Sequence, residues 1–207
     1  HQGNLITVQN VLGDPRGVEQ TILELIGRWQ RLAGERSERI DELLNDLGLY
    51  YVQAGLGAEA LKTFERLLER ATAHGDSDSS NQLRNQLDLV EIRARFNMSP
   101  APELLDKLDT LTGQILKQVS PDSPRLRQLL LRAAMVAIAL EQPDKAEALS
   151  ASAREKGRDK APANATRTET ALASIARMRG QYDAAIGQIE RRLQDYEKKG
   201  ERVSLRH

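Results

Sequence analysis

At 207 residues the chain has the length of one large domain or two small ones. With aromatics at 3%, apolar residues at 40% and charged residues at 29%, its Ala, Leu, Gln, Glu and Arg content is that of long helices with thin cores. Thirty basic and thirty acidic side chains cancel, so no global field attracts nucleic acid or an anionic membrane. The absence of cysteine removes disulfides, thiolate catalysis and Cys-based zinc sites. No run approaches the roughly 18 apolar residues of a membrane span, and the most apolar stretch, 126–140, carries Arg127, Gln128 and Arg132. The expectation is a protein with no nucleic-acid and no membrane partner. The chain opens on His1 without a charged-then-apolar leader, which reads as a piece of a longer protein.

In chain order, a short apolar segment over 4–12 ends at Gly13. Asp14-Pro15 then supplies an N-cap and a first-turn proline for a helix to about Ala33, with Val18, Ile22, Leu25, Ile26 and Trp29 on one face and Gly34 as its stop. Trp29 on that stripe reads as a core residue. Ser37 caps the next helix, which runs to about Ala54. The corner Gln53-Ala54-Gly55-Leu56-Gly57 leads to a partner helix over 58–75. Leu44, Leu47, Gly48 and Tyr51 on the first of these, and Ala60, Phe64, Leu67 and Leu68 on the second, recur at helical spacing.

A polar loop over 74–80 precedes a third, less regular pair. Leu83, Leu87, Val90 and Ala94 mark one helix, 98–102 breaks it, and Leu104, Leu105, Leu108, Leu111 and Ile115 mark the return. Ser123-Pro124 starts a strongly apolar helix to about Leu140, Gln142-Pro143-Asp144 turns the corner, and Ala146, Leu149, Ser150 and Ala153 form a small-residue face. After a basic connector over 157–164, helices follow over about 166–179 and 182–198, and 201–207 reads as the start of a further helix.

The units are periodic. Val18, Ala60, Leu104, Ala146 and Ala185 stand at one place early in the second helix of each pair, 42, 44, 42 and 39 residues apart. A helix, break, helix grammar at such intervals predicts an all-α solenoid of about five antiparallel helix pairs, with a plain helical bundle as the alternative. The expected repeats cover 4–34, 37–75, 80–119, 123–157 and 164–199 of a single domain over 1–207.

The second unit's Leu47-Gly48, Tyr51, Ala60 and Phe64 resemble the tetratricopeptide repeat in its alternation of large apolar, small and aromatic packing residues. The last unit echoes it through Leu172-Ala173, Gly180, Tyr182, Ala185 and Ile189, and the fourth through Ala134, Ala137 and Ala146. The third unit departs by placing Glu91 where a small residue is usual and by an extra turn residue before Leu104. Periods near 42 exceed the usual repeat of about 34 residues, and are similar to longer-helix variants in bacterial regulators and motor-adaptor chains.

The resemblance implies a cytoplasmic protein-interaction scaffold, non-enzymatic, cofactor-free, and part of a larger signalling or regulatory protein, whose first helices line a concave groove. On that implication the groove candidates are Asn45, Leu49, Val52, Asp88, Ile92, Arg95, Arg132, Met135, Arg167, Ser174 and Arg177. Guanidiniums at Arg95, Arg132, Arg167 and Arg177 would suit an acidic peptide or the carboxylates of another domain of the same chain. The Lys and Asn clamp that grips C-terminal carboxylates in chaperone adaptors is not reproduced. Self-association through terminal repeats is a further expectation. The alternative function is the sensor or autoinhibitory part of an enzyme whose catalytic residues lie outside these.

Catalytic constellations find little footing. His1, His74 and His207 are too scattered for a dyad or a metal trio. Asp76-Ser77-Asp78 lacks the turn Gly and the bidentate Glu of a calcium loop, Leu87 standing where that ligand belongs. Gly55-Leu56-Gly57 lacks the Lys-Ser or Lys-Thr of a phosphate loop. Asn164-Ala165-Thr166 matches a glycosylation sequon but reads as a helix start.

Overall fold

The computed structural model describes residues 15–34, 36–73, 79–156 and 162–198, with side-chain surroundings over 17–34, 36–73, 79–155 and 168–190. The segments 4–12 and 201–207, the histidines at the termini and His74, and most of the rejected calcium loop lie outside these residues. The described residues form helices α1 (Pro15–Ala33), α2 (Glu38–Gln53), α3 (Gly57–Ala73), α4 (Ser79–Arg95), α5 (Ala101–Gln118), α6 (Pro124–Ala139), α7 (Pro143–Lys156), α8 (Pro162–Met178) and α9 (Tyr182–Lys198). Several helix starts follow from proline, whose fixed φ suits the first turn and whose missing N–H costs nothing there. Pro15, Pro124, Pro143 and Pro162 each open a helix. Ser123 caps α6 by accepting from the Arg125 N–H at 3.3 Å. Ser37 takes the cap position of α2 without its hydroxyl capping, and its carbonyl instead accepts from Arg70 Nη2 at 3.5 Å.

One corner geometry joins the pairs. Gly55 (φ 74), Asn97 (φ 52), Glu141 (φ 56) and Gly180 (φ 72) all lie in the left-handed region just past a first helix. In each corner the left-handed residue's N–H returns to a carbonyl three back, as Gly55 to Val52 and Glu141 to Ile138. The next N–H returns to one five back, as Leu56 to Tyr51 and Gln142 to Ala137. These paired bonds satisfy the carbonyls that a helix end leaves open. The position occupied by Ala60, Ala146 and Ala185 follows its corner residue by five residues, whereas Leu104 follows Asn97 by seven. The one extra turn residue expected there is therefore two. Counting back from the corner also puts Val90, rather than Glu91, in the register of Gly48, Ala134 and Ala173, so the small-residue position of the third pair holds a buried valine.

The packing resolves two compact units, residues 1–98 and 99–207. In the first, α1 packs on α2, α2 on α3 and α3 on α4. Its core takes Val18, Ile22 and Ile26 from α1, Ile40, Leu44, Leu47 and Tyr51 from α2, Ala60, Phe64 and Leu67 from α3, and Leu89 and Ile92 from α4, with Trp29 half-buried against it. In the second unit α5 packs on α6, α6 on α7, α7 on α8 and α8 on α9. Here the α6–α7 contact is built from small side chains, with Ala133, Ala134, Ala137, Ala146, Ser150 and Ala153 all fully buried. Every residue of the periodic set, Val18, Ala60, Leu104, Ala146 and Ala185, is buried.

Two contacts illustrate the energetics. A β-carbon on Gly48 would overlap the ring of Phe64, which is itself fully buried and cannot swing away. In the same hairpin Arg70 is buried and donates from Nε to Asp41 Oδ1 at 2.5 Å, while Arg39 and Glu42 pair on the exposed surface. Hydrogen bonds to a buried charge contribute about 1.5–3 kcal/mol, against roughly 0.3–0.5 kcal/mol for an exposed pair on one helix.

Gly48→Ala is expected to lower stability by about 1–3 kcal/mol through overpacking, despite alanine's better helix propensity. Gly113→Ala, whose β-carbon would meet open space, should raise it by about 0.5–1 kcal/mol. Denaturant midpoints check both, and a Gly48→Ala protein as stable as the parent would refute the close approach. By the same measurement Asp41→Ala should cost on the order of 2 kcal/mol and Glu42→Ala only a few tenths.

Candidate interaction surface

Counting back from the left-handed corner residues places Leu49, Glu91, Met135 and Ser174 at one register of the first helices. Asp46, Asp88 and Arg132 stand at another, three residues earlier. Residues three and four apart share a helix face, so the two registers mark one side of α2, α4 and α6.

In the first unit this side is open on α2 and closed on α4. Glu42, Asp46, Leu49 and Gln53, spaced four, three and four residues apart, are all exposed, with Leu49 at 42% and Asn45 half-buried beside them. Val52 is half-buried against the core. On α4, by contrast, Asp88 (4%), Glu91 (4%) and Ile92 (3%) are buried. Asp88 and Ile92 are thus interior residues and do not offer themselves to a partner, which corrects their place among the groove candidates. The physical reason is that Leu87, Asp88, Leu89, Val90, Glu91 and Ile92 form an unbroken buried run, and a helix buried all round has no free face. Arg95 is half-exposed but turns back to Glu91, its Nη2 lying 2.6 Å from Oε1. It serves the charge of its own helix.

In the second unit α6 and α8 are in contact. Arg132, Met135 and Ser174 are half-buried and Arg177 is exposed, so this face combines an exposed guanidinium with apolar and hydroxyl groups. Arg167 lies in α8 with its side chain outside the described set. Glu42, Asp46 and Gln53 were not among the sequence candidates. Their signal was present in the corner register, which aligns Asp46 with Asp88 and Arg132.

Electrostatics separate the two faces. Although Asp46 reaches solvent, partial desolvation by the surrounding helix surface and then the neighbouring Glu42 push its carboxyl above the ordinary value, against a hydrogen bond from Asn45. Behind that face Tyr51 donates its hydroxyl to Glu19 Oε1 at 2.7 Å, and burial together with this acceptor holds the phenol above its ordinary value. At the end of α8, hydrogen bonds to Asp144 and Glu147 strengthen the Arg179 guanidinium's hold on its proton. Gly55-Leu56-Gly57 is accounted for by the corner, Gly57 opening α3 with its Cα so close to Phe96 that a β-carbon would lie 2.5 Å from the ring. Among the described residues no three metal-ligating side chains converge, and no helix is long and apolar enough to cross a membrane.

The whole chain superposes on BtubC (BKLC) from P. vanneervenii with a TM-score of 0.62 and 16% identity, covering 100% of this chain and 83% of that one. The fold is TPR-like. A variant of a Podosopora anserina putative kinesin light chain with nearly identical TPR-like repeats gives a TM-score of 0.57 at 16% identity, covering 96% of this chain and 94% of that one. Another structure of that putative light chain gives 0.55 at 16% identity, with 98% and 96% covered. No family model matches the chain, and no curated protein matches it. The likeness therefore concerns the TPR-like architecture, in agreement with the all-α helical-repeat expectation.

The acidic α2 face carries a pH signature. An acid with a raised folded-state pKa holds its proton more tightly when folded, so stability falls as pH rises from the unfolded value through the folded one. Asp46→Asn removes this loss. The variant should melt higher than the parent at pH 7 and lose that advantage as the pH falls below about 4, the ordinary Asp range. Thermal melts across this range test it, and an equal advantage at pH 3 would contradict the assignment to Asp46.

Proposed function

We propose that the chain is a protein-interaction module that holds a peptide or a partner domain on the first-helix faces of its repeats, as part of a larger signalling or regulatory protein. The observation that carries this reading is the α2 stripe. Glu42, Asp46, Leu49 and Gln53 are exposed along one face while the other sides of the helix are spent on packing, so Leu49, at 42% exposure, stands uncovered between the Asp46 carboxylate and Gln53, with Glu42 paired to Arg39 farther along the same surface. Apolar and charged groups mixed on one rigid helix face supply both contact area and orientation for a bound segment.

The two units favour different chemistry. The α2 face, with Glu42 and Asp46, suits a segment carrying Lys or Arg around an apolar side chain. The α6–α8 face, with Arg132, Met135, Ser174 and Arg177, suits an acidic one, since guanidiniums bind carboxylates through paired donors. The general scaffold role is in keeping with the TPR-like fold of the neighbours.

Photo-crosslinking locates the partner. Benzoylphenylalanine at Leu49 or Met135, irradiated in an extract of the source cells, should give discrete adducts. The same group at Leu116, exposed on the second helix α5, should give none. Charge reversal by Arg132→Glu with Arg177→Glu should then weaken the partner captured through Met135 by about tenfold, or 1.4 kcal/mol, with the helical circular dichroism unchanged. Undiminished binding in that pull-down titration would sink the assignment.

A further inference from the structure

The charge of α2 is divided along its length. Its charged residues, Glu38, Arg39, Asp41, Glu42 and Asp46, all lie in the first half, and none follows Asp46. Asp41 receives the buried Arg70 and Arg39 pairs with Glu42, so this half stays acidic. The exposed face runs Glu38, Glu42, Asp46, Leu49 and Gln53, at spacings of four, four, three and four residues. It begins in carboxylates and ends in a leucine and a neutral amide, with half-buried Val52 beside them. A helix N-terminus favours carboxylates, which accounts for Glu38 and Asp41 in the first turn. It does not account for Asp46 at the middle of the helix, whose carboxyl is held above its ordinary value.

The lateral direction is closed. At the levels of Asp46 and Leu49 the corresponding α4 residues, Asp88 and Glu91, are buried. A ligand on this face therefore follows the α2 axis and does not spread onto α4 at those levels. From Glu38 to Gln53 the face is about 22 Å long, and its side chains recur on average about every 5.6 Å. That interval is close to the pitch of a second helix, about 5.4 Å, and short of the roughly 6.7 Å between same-face residues of an extended strand.

Direction follows from the dipoles. Cations are favoured in the last turn of a helix. A helical ligand satisfies its own dipole and the α2 carboxylates together only with its C-terminal end over Glu38, Glu42 and Asp46, antiparallel to α2. The first unit does not supply those cations from its remaining sequence, because 1–14, 35 and 74–78 contain no Lys or Arg.

Resting on the reading of this face as a partner surface, we propose that it takes one amphipathic α-helix of a partner protein, laid antiparallel along α2. The helix carries Lys or Arg in its C-terminal half, over Glu38, Glu42 and Asp46. An apolar side chain in its N-terminal half covers Leu49.

The chain has no cysteine, so single thiols can be placed at either end of the face. The probe is a lactam-stapled helix of about 20 residues, long enough to cover it. Leucines lie on one side of its first half and arginines on the same side of its second, and it bears one cysteine at its N- or its C-terminus. Mixed-disulfide equilibria in a thiol buffer compare the four pairings. Gln53→Cys should favour the N-terminal thiol, and Glu38→Cys the C-terminal one, about tenfold over the crossed pairs, or 1.4 kcal/mol. Leu49→Asp or Asp46→Lys, both at exposed positions, should abolish the preference. A central proline in place of the staple should do the same, since it breaks a helix and leaves an extended ligand intact. Equal capture in all pairings overturns the proposal, as do a crossed preference or indifference to the proline. Photo-adducts at Leu49 would in that event still uphold the partner surface, whereas their absence would remove the surface and the proposal together. Methyl shifts at Leu49 that follow protein concentration without any peptide also overturn it, making the occupant a second copy.

Discussion

The left-handed corner is the constraint on which the repeats depend. A first helix can turn back into a second only if one residue adopts positive φ and the two following N–H groups close onto the carbonyls the helix leaves behind. Glycine meets this requirement at Gly55 and Gly180 without strain, but Asn97 and Glu141 adopt the same conformation with side chains. For Glu141 the backbone cost is on the order of 1 kcal/mol. It is offset because the corner delivers Ala146 and its neighbours against α6, where a seam of fully buried alanines brings two helix backbones close.

From that corner the packing of the α2–α3, α6–α7 and α8–α9 pairs follows. Where the seam holds a large partner the opposing residue must be small, as Gly48 is beneath Phe64. Where both sides are small, as between α6 and α7, the helices approach without an aromatic. This explains how a chain with 3% aromatics builds continuous cores. The cores are thin, and their interior rests on fit between neighbouring helices more than on the size of any one side chain. Buried polar ties such as Tyr51 to Glu19 and Arg70 to Asp41 then lock specific helices of the first unit together.

The second-helix register was legible in the sequence because Val18, Ala60, Leu104, Ala146 and Ala185 are all interior and their spacing survives variation elsewhere. Helix starts were legible because proline and capping serine mark them chemically. The corners were only half legible. Gly55 and Gly180 announce positive φ, while Asn97 and Glu141 do not, so the two-residue insertion after Asn97 went undivided and Glu91 was assigned the place of Val90. The surface was least legible. Asp88 has the polarity of a solvent residue and is buried, Arg95 has the charge of a binding residue and attends to Glu91, and Asp46 passed unnoticed although it lies open on α2. Charge alone does not reveal whether a polar side chain faces water or a neighbouring helix.

The sealing of each second helix by its successor has a consequence for how such a chain comes apart. Ile22 is covered when α2 is in place and Leu108 when α6 is, so the loss of a first helix uncovers the core residue of the helix before it. The burial is mutual, so the loss of either helix of such a contact loosens its neighbour on both sides within the unit. Amide protection against hydrogen exchange should therefore fall together in the helices packed on any one that opens.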